Sequence, residues 1–208
     1  MDRSRLEAFS DGVIAVAITL LALNIAVAGP HHGPLVDQLY DRRYAFVAYL
    51  ISFLTIGIIW VNHHALVRTI KVVDRTLLFL NLMLLLFIVL IPFGTATAAE
   101  YLSVGGWDAQ VAMMIYGGVF LGMSAGFGAI FEWTLHGQRT YQPLPAGQHW
   151  AARRRFVGGS LVYVAAIGLA LLSAYAAFAV IGLVAVYYVF ERTPAGPAPG
   201  EAGDSRGE

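Results

Sequence analysis

The chain has 208 residues, of which 58% are hydrophobic and 12% are charged, whereas about a quarter of the residues in soluble domains are charged. The mean hydropathy of +0.68 therefore indicates a polytopic membrane protein and excludes an ordinary soluble domain. A formal net charge of zero gives no sign of a nucleic-acid partner. The chain contains no cysteine, which excludes disulfides, thiol catalysis and thiolate metal sites.

A helix needs about 17–25 mostly apolar residues to cross a bilayer, and six stretches of the chain approach this length. We predict an all-α membrane protein with six transmembrane helices in one domain, residues 1–192. The predicted spans are residues 9–28, 44–67, 76–98, 108–135, 156–172 and 174–190. The last two spans divide one apolar block of 35 residues at a tight turn near Ser173.

The charges of the loops predict the orientation of the spans, because cytoplasmic loops carry an excess of Lys and Arg. With six spans, eleven of the thirteen basic residues fall on the side of the two termini, and only Arg42 and Arg43 fall on the other side. We therefore expect both termini in the cytoplasm. Residues 193–208, rich in Pro, Gly and Ala, are expected to form a disordered cytoplasmic tail.

The first apolar segment also has the layout of a signal peptide, with Arg3 and Arg5 before the apolar core and Ala26-Val27-Ala28 as a cleavage site. Two features argue against cleavage. Glu7 and Asp11 are acidic residues beside the core, and cleavage would leave five spans and spoil the charge asymmetry. We therefore take this segment as the first span.

The first span carries two stripes at helical spacing. Ala15, Thr19, Ala22 and Ala26 form a stripe of small side chains that suits close helix packing. Val16, Leu20 and Leu23 form an aliphatic stripe. Aliphatic side chains in this position either face lipid or form rings around a symmetry axis that act as a hydrophobic constriction. Periodicity leaves both interpretations open.

The polar residues before this span also have two interpretations. Ser10 can be a helix N-cap with Asp11 in the first turn, or the helix begins earlier and Asp11 lies inside the bundle, where a carboxylate needs donors. The candidate donors lie on the second and third spans and are Trp60, Asn62, His63, His64 and Asn81. Adjacent histidines point about 100° apart on a helix, so we favour a hydrogen-bonded anchor over a metal or haem site.

A third feature is a glycine stripe in the fourth span. Gly118, Gly122 and Gly126 recur at a spacing of four, which predicts a face where the backbone of another helix approaches closely.

Together these residues resemble the TMEM175 potassium-channel family. The stretch Arg5-x-x-x-Phe9-Ser10-Asp11 matches the RxxxFSD signature of that family. The remaining residues of the match are Trp60-x-Asn62-His63-His64 on the second span and Asn81 with Pro92-Phe93 on the third. The resemblance covers the whole chain, with the single six-span repeat of the bacterial members.

The resemblance implies a homotetramer in the bacterial inner (cell) membrane, in which the first helices line a central pore. It implies K⁺ as the permeant ion, no cofactor, no fixed metal and no enzymatic activity. The family lacks the carbonyl filter of ordinary potassium channels, and this sequence lacks it too. The resemblance places the constriction at Val16, Leu20 and Leu23, with Thr19 as a polar position beside them. The residues of the signature, with Trp60, Asn62, His63, His64 and Asn81, resemble the network that fixes the pore helix.

A ring of aliphatic side chains offers an ion nothing to replace its hydration shell, so a narrow ring is a dehydration barrier with moderate preference for K⁺ over Na⁺. The alternative function is a secondary or proton-coupled transporter in which Asp11 and His63 or His64 titrate. The absence of an apparent inverted repeat argues against the transporter.

Overall fold

The computed structural model describes residues 2–136, 139–141 and 146–190, and for residues 146–149, 151–152 and 155–156 the backbone alone. Within these ranges the chain is helical, apart from its loops and one isolated antiparallel bridge between Ile70 and Thr140. The predicted all-α fold is confirmed. The predicted tail, residues 193–208, lies outside the described residues.

The described residues contain seven α-helices and one 3₁₀ turn. Their bounds are α1 Arg3–Leu20 with the 3₁₀ turn Leu21–Asn24, α2 Leu35–Asp41, α3 Arg43–Thr69, α4 Arg75–Val104, α5 Gly106–Leu135, α6 Ala146–Ala170 and α7 Ala174–Phe190. Four of these are long and apolar enough to cross a membrane, namely α1 with its 3₁₀ turn, α3, α4 and α5. Two shorter apolar helices follow, Val157–Ala170 within α6 and then α7.

The helix α1 begins six residues before the predicted start of the first span. Because it starts at Arg3, Ser10 and Asp11 lie inside the helix and do not cap it. The regular helix ends at Leu20, and the 3₁₀ turn ends at Asn24, short of the predicted end at residue 28. The signature residues therefore belong to the same helix as the aliphatic stripe.

Local sequence explains where the two longest helices, α4 and α5, begin and end. The carboxylate of Asp74 accepts a hydrogen bond of 2.8 Å from the backbone N–H of Leu77 and so caps the start of α4. Gly105, with φ at +80°, ends α4 in a conformation that costs glycine little. The chain then reverses into α5 at Gly106. Both helices contain 30 residues, so the reversal places them side by side.

The helix α4 lies at the centre of the bundle, because α1, α3 and α5 all pack against it. Three buried hydroxyl groups join α3, α4 and α5 within the apolar core. The Ser52 hydroxyl lies 2.7 Å from the Thr95 hydroxyl and 2.7 Å from the Tyr116 hydroxyl. Since hydroxyl groups buried without partners are costly, these bonds specify how the three helices align.

The glycine stripe of α5 contacts α4 at two of its three positions. A Cβ added at Gly122 would clash with the Phe87 ring, and one at Gly126 would lie 3.0 Å from the Cα of Leu84. A Cβ at Gly118 would meet no atom within 4 Å. The backbone of α4 at Leu84 explains Gly126, the Phe87 ring explains Gly122, and no contact of the described residues explains Gly118.

Candidate functional site

The helix α1 has one face that is buried within the subunit. The buried residues recur at spacings of three and four, which places them on one side of the helix. They are Leu6, Ser10, Ile14, Ala17 and, in the 3₁₀ turn, Leu21. This face packs on α3 and α4, so the contacts of the subunit fix the rotation of α1 about its own axis.

The opposite side of α1, which we call the open face, is not covered by the subunit. Its large apolar side chains keep a substantial exposed fraction: Phe9 49%, Val16 57%, Leu20 39% and Leu23 73%. The small residues Ala15, Thr19 and Ala22 are also exposed. All four residues predicted to form the constriction therefore lie on the side of α1 that is available to lipid, to a pore or to other copies of the chain.

A chain of hydrogen bonds holds the buried face of α1 at the level of Ser10. The Asn81 amide of α4 donates to the Ser10 hydroxyl at 2.9 Å, and that hydroxyl donates to the Leu6 carbonyl at 2.9 Å. On its other side, the Asn81 side-chain oxygen lies 2.8 Å from Nε2 of His63 on α3. Because that oxygen can only accept, Nε2 carries the hydrogen. We call these contacts the buried polar chain.

The buried polar chain is almost completely shielded from solvent. Ser10 is 0%, His63 1% and Asn81 2% exposed. A buried polar group that loses its partner costs about 1–3 kcal/mol, more than the net gain from an average hydrogen bond. The chain therefore favours one alignment of α1, α3 and α4 and penalises the others. The side chains that connect the three helices have few other hydrogen-bond partners in an apolar core.

Beside the buried polar chain, a second set of contacts joins α1 to α3 nearer the surface. The Trp60 indole N–H donates to the Asp11 carboxylate at 2.9 Å. Nδ1 of His64 lies 2.7 Å from a carboxylate oxygen of Glu7. The adjacent histidines His63 and His64 thus contact different partners. Sequence reasoning had not identified Glu7 as a partner of His64.

The other predicted network residues lie outside these bonds. Arg5 is exposed, and Asn62 is half-buried. Instead of Arg5, it is Arg3 that reaches α3, where it donates to the Arg68 carbonyl at 3.1 Å. At the far end of α1, the Asn24 amide donates to the Pro92 carbonyl of α4 at 3.4 Å. Asn24 was missed because a single asparagine after an apolar run is typical of a helix end.

Among the described residues, Glu7, Asp11 and His64 form a cluster that could hold a metal ion. One ligand atom from each lies within 4.8 Å of the others. In the structure these groups already have protein partners, since Asp11 accepts from Trp60 and Glu7 lies against His64. The contacts among the side chains therefore account for the cluster without an ion.

The fold and the site define a multi-pass helical membrane protein whose first helix is fixed on one face and open on the other. Residues 5–92 match the family described as "Endosomal/lysosomal potassium channel TMEM175". A potassium channel of Streptomyces collinus is 41% identical over 199 residues, which cover 93% of this chain and 94% of the relative.

The fold is also that of a solved member. The crystal structure of a lysosomal potassium-selective channel TMEM175 homolog from Chamaesiphon minutus superposes with a TM-score of 0.80 and 31% identity, over 90% of this chain and 96% of that one. A more distant relative, the endosomal/lysosomal proton channel TMEM175 of Gallus gallus, is 34% identical over 49% of this chain and 22% of its own length. The chain belongs to the TMEM175 family, and it is a channel protein.

The buried polar chain predicts that Ser10 and Asn81 stabilise the fold as a unit. We expect Ser10→Ala and Asn81→Leu each to destabilise the protein by about 1–3 kcal/mol, and the double variant by about 0.5–3 kcal/mol less than the sum. Detergent-induced unfolding of the purified protein measures these changes. The matched control pairs Asn81→Leu with Ser52→Ala, a buried serine of the separate hydroxyl cluster, and should be additive. Additivity in both pairs would contradict the coupling.

Proposed function

We propose that this protein is a homotetrameric, potassium-permeable channel in which the open faces of four α1 helices surround the pore. The observation that carries the proposal is the division of α1 into a face held by the buried polar chain and a face that the subunit leaves uncovered. The names of the bacterial relatives, which are potassium channels, supply the ion.

The region where the open face borders α4 supports the proposed tetrameric assembly. A shallow depression of about 450 Å³ lies where α1 meets α4. Its lining is apolar and includes small residues, namely Ala8, Phe9, Gly12, Val13, Val16 and Val89. A Cβ added at Gly12 would meet no atom of the subunit within 4 Å. We assign this depression to the neighbouring subunit, because small residues let helices approach closely in membranes.

In the tetramer, Val16, Leu20 and Leu23 form successive aliphatic rings. Such rings give a dehydrating ion no oxygen ligand, so the barrier rises as the ring narrows. Potassium releases its water more readily than sodium and therefore meets the lower barrier, which gives moderate selectivity. Widening or rotation of α1 opens the rings, and Val16 makes the widest of the three because its side chain is the smallest.

Thr19 supplies the polar position beside these rings. Its hydroxyl donates to the Val16 carbonyl of the same helix at 2.8 Å, and its side chain is exposed on the open face. A hydroxyl that donates its hydrogen to its own helix backbone can still accept contacts through its oxygen lone pairs. Four such oxygens around the axis partly replace the water that an ion loses between the aliphatic rings.

The same proposal assigns the chain to the inner (cell) membrane of a bacterium, with six spans and both termini in the cytoplasm. The orientation follows from the excess of basic residues on the side of the termini. The spans are α1, α3, α4, α5, α6 and α7. The short helix α2 then lies at the outer surface, where Leu35, Val36 and Tyr40 are exposed.

The rival function is a proton-coupled transporter, or a proton path, that uses Asp11 with His63 or His64. The structure gives the histidines separate partners, since His63 contacts Asn81 and His64 contacts Glu7. The animal relative is named a proton channel, so proton flux is the second outcome that the experiment must distinguish. The bacterial relatives, which match over nearly the whole chain, favour potassium.

Currents from purified protein in planar bilayers discriminate between these functions. Under a potassium gradient we expect single-channel steps that reverse near the potassium equilibrium potential and change little between pH 6 and pH 8, because no step of the proposed path binds a proton. A reversal potential that follows the proton gradient would contradict potassium permeation. Saturable flux without steps would identify a transporter.

The aliphatic rings predict the effect of smaller side chains. We expect Leu20→Ala and Leu23→Ala to raise the potassium conductance severalfold and to lower the K⁺/Na⁺ permeability ratio, because a wider ring retains more ion hydration. Bi-ionic reversal potentials and unitary currents measure both effects. Leu183→Ala, at an exposed leucine of α7, is the matched control and should leave both unchanged. Unchanged permeation in all three variants would place the open face against lipid.

A further inference from the structure

A groove between α5 and α6 lies away from the proposed pore. It encloses about 280 Å³. Most of its wall is apolar, with Gly128 and Phe131 on α5 and Val157, Leu161 and Val164 on α6. No atom of the described residues lies within 4 Å of a Cβ added at Gly128, so these residues leave open space beside it. The Ser124 and Ser160 hydroxyls bond across the two helices at 2.9 Å, and the apolar part of the groove beside them is a slot for an apolar group.

One end of the groove is charged. Arg153 donates from Nε and Nη2 to the two carboxylate oxygens of Glu132, at 2.7 and 2.6 Å. This paired contact orients the guanidinium across the end of the slot and leaves Nη1 outside the ion pair. Arg154 follows and is exposed. The two described arginines, Arg153 and Arg154, therefore bring two positive charges to this end against the one negative charge of Glu132.

The length of the groove matches one leaflet of a bilayer. Val164 lies eleven positions after Arg153 on α6, which corresponds to about 16 Å at 1.5 Å per residue. Half of a hydrocarbon core of about 30 Å is about 15 Å. An acyl chain that starts at the charged end would therefore reach the deep end of the slot near the bilayer midplane. A soluble anion would leave the apolar part of the slot empty.

The groove faces the perimeter of the proposed tetramer. The helix α1 packs on α3 and α4, whereas α5 packs on α4, α6 and α7. If α1 faces the axis, the slot between α5 and α6 faces outward, and this step rests on the proposed function. The proposed orientation places Arg153 and Arg154 at the cytoplasmic surface, where anionic lipid headgroups attract basic side chains.

We propose that the α5–α6 groove binds an anionic phospholipid of the cytoplasmic leaflet. One acyl chain lies in the slot over Gly128 between Leu161 and Val164, and the phosphate contacts Arg154 and the outer amine of Arg153. The Glu132–Arg153 ion pair positions that amine. The bound lipid fills space that α5 and α6 leave open and so stabilises the contact between them.

Native mass spectrometry of the purified protein tests the proposal, with phosphatidylglycerol and phosphatidylcholine as probes. We expect retention of phosphatidylglycerol over phosphatidylcholine. Arg154→Gln should weaken phosphatidylglycerol binding about fivefold, the equivalent of about 1 kcal/mol for one basic residue at the membrane surface. Gly128→Leu should weaken it more, because the new side chain occupies the slot. The controls are Gly118→Leu, at another open glycine of α5, and Arg42→Gln, at the opposite surface.

Equal losses in the variants and their controls would overturn the assignment, as would equal retention of the two lipids. Displacement of phosphatidylglycerol by glycerol phosphate alone would show an anion site that does not use the slot, which also overturns it. A change of oligomeric mass in Gly128→Leu would assign the groove to a second copy of the chain. Because lipid retention is measured without ion flux, it can fail while potassium currents persist, and the converse also holds.

Discussion

Asn81, which donates to Ser10 and accepts from His63, makes the contacts on which the arrangement of α1 depends. In an apolar bundle, aliphatic contacts tolerate many rotations of one helix against another, because lipid and neighbouring side chains are equally apolar. A buried amide tolerates few, since each lost partner is costly. The buried polar chain therefore selects one rotation of α1 and one register against α3 and α4.

The position of this anchor separates two tasks along one helix. The anchor lies at Ser10, and the aliphatic rings of the proposed pore begin at Val16 and end at Leu23. Asn24 forms a second bond to α4 at the far end. Between the two anchors, α1 presents small and aliphatic residues and changes from α-helix to 3₁₀ geometry at Leu21. A helix that is bonded at both ends can change its backbone geometry between them and keep its position in the bundle.

Sequence reasoning predicted the class of fold well, because the length of apolar stretches is a strong signal in membrane proteins. It named Asn81 and His63 as donors because polar residues in apolar spans need partners, but it assigned them to Asp11, and Ser10 entered the network only through the family resemblance. It left the start of α1 undecided, since the sequence fits Ser10 as an N-cap with Asp11 in the first turn as well as an earlier start with Asp11 inside the bundle. The pairing of His64 with Glu7 depends on how α1 and α3 lie side by side, which no single stretch of sequence specifies.

Periodicity alone also could not choose between lipid and pore for Val16, Leu20 and Leu23, because the bilayer and a hydrophobic constriction both accept aliphatic side chains. The family resemblance is what favoured the pore over lipid for these residues, and the uncovered face of α1 is consistent with the pore. At Gly118, by contrast, periodicity predicted a helix contact that no described residue makes. Its spacing matched that of Gly122 and Gly126, yet no helix of the subunit approaches it within 4 Å of an added Cβ.

Cysteine accessibility at the open face tests the central claim most directly, since the native chain contains no cysteine. Leu20→Cys and Leu23→Cys are each treated with a charged, water-soluble thiol reagent during recording of potassium currents, with Leu183→Cys as the control. A pore lined by α1 predicts that the reagent blocks the current in the two α1 variants and leaves the control unchanged. Currents that persist in all three variants, with mass spectrometry showing no modified cysteine on α1, would contradict a pore lined by the open face.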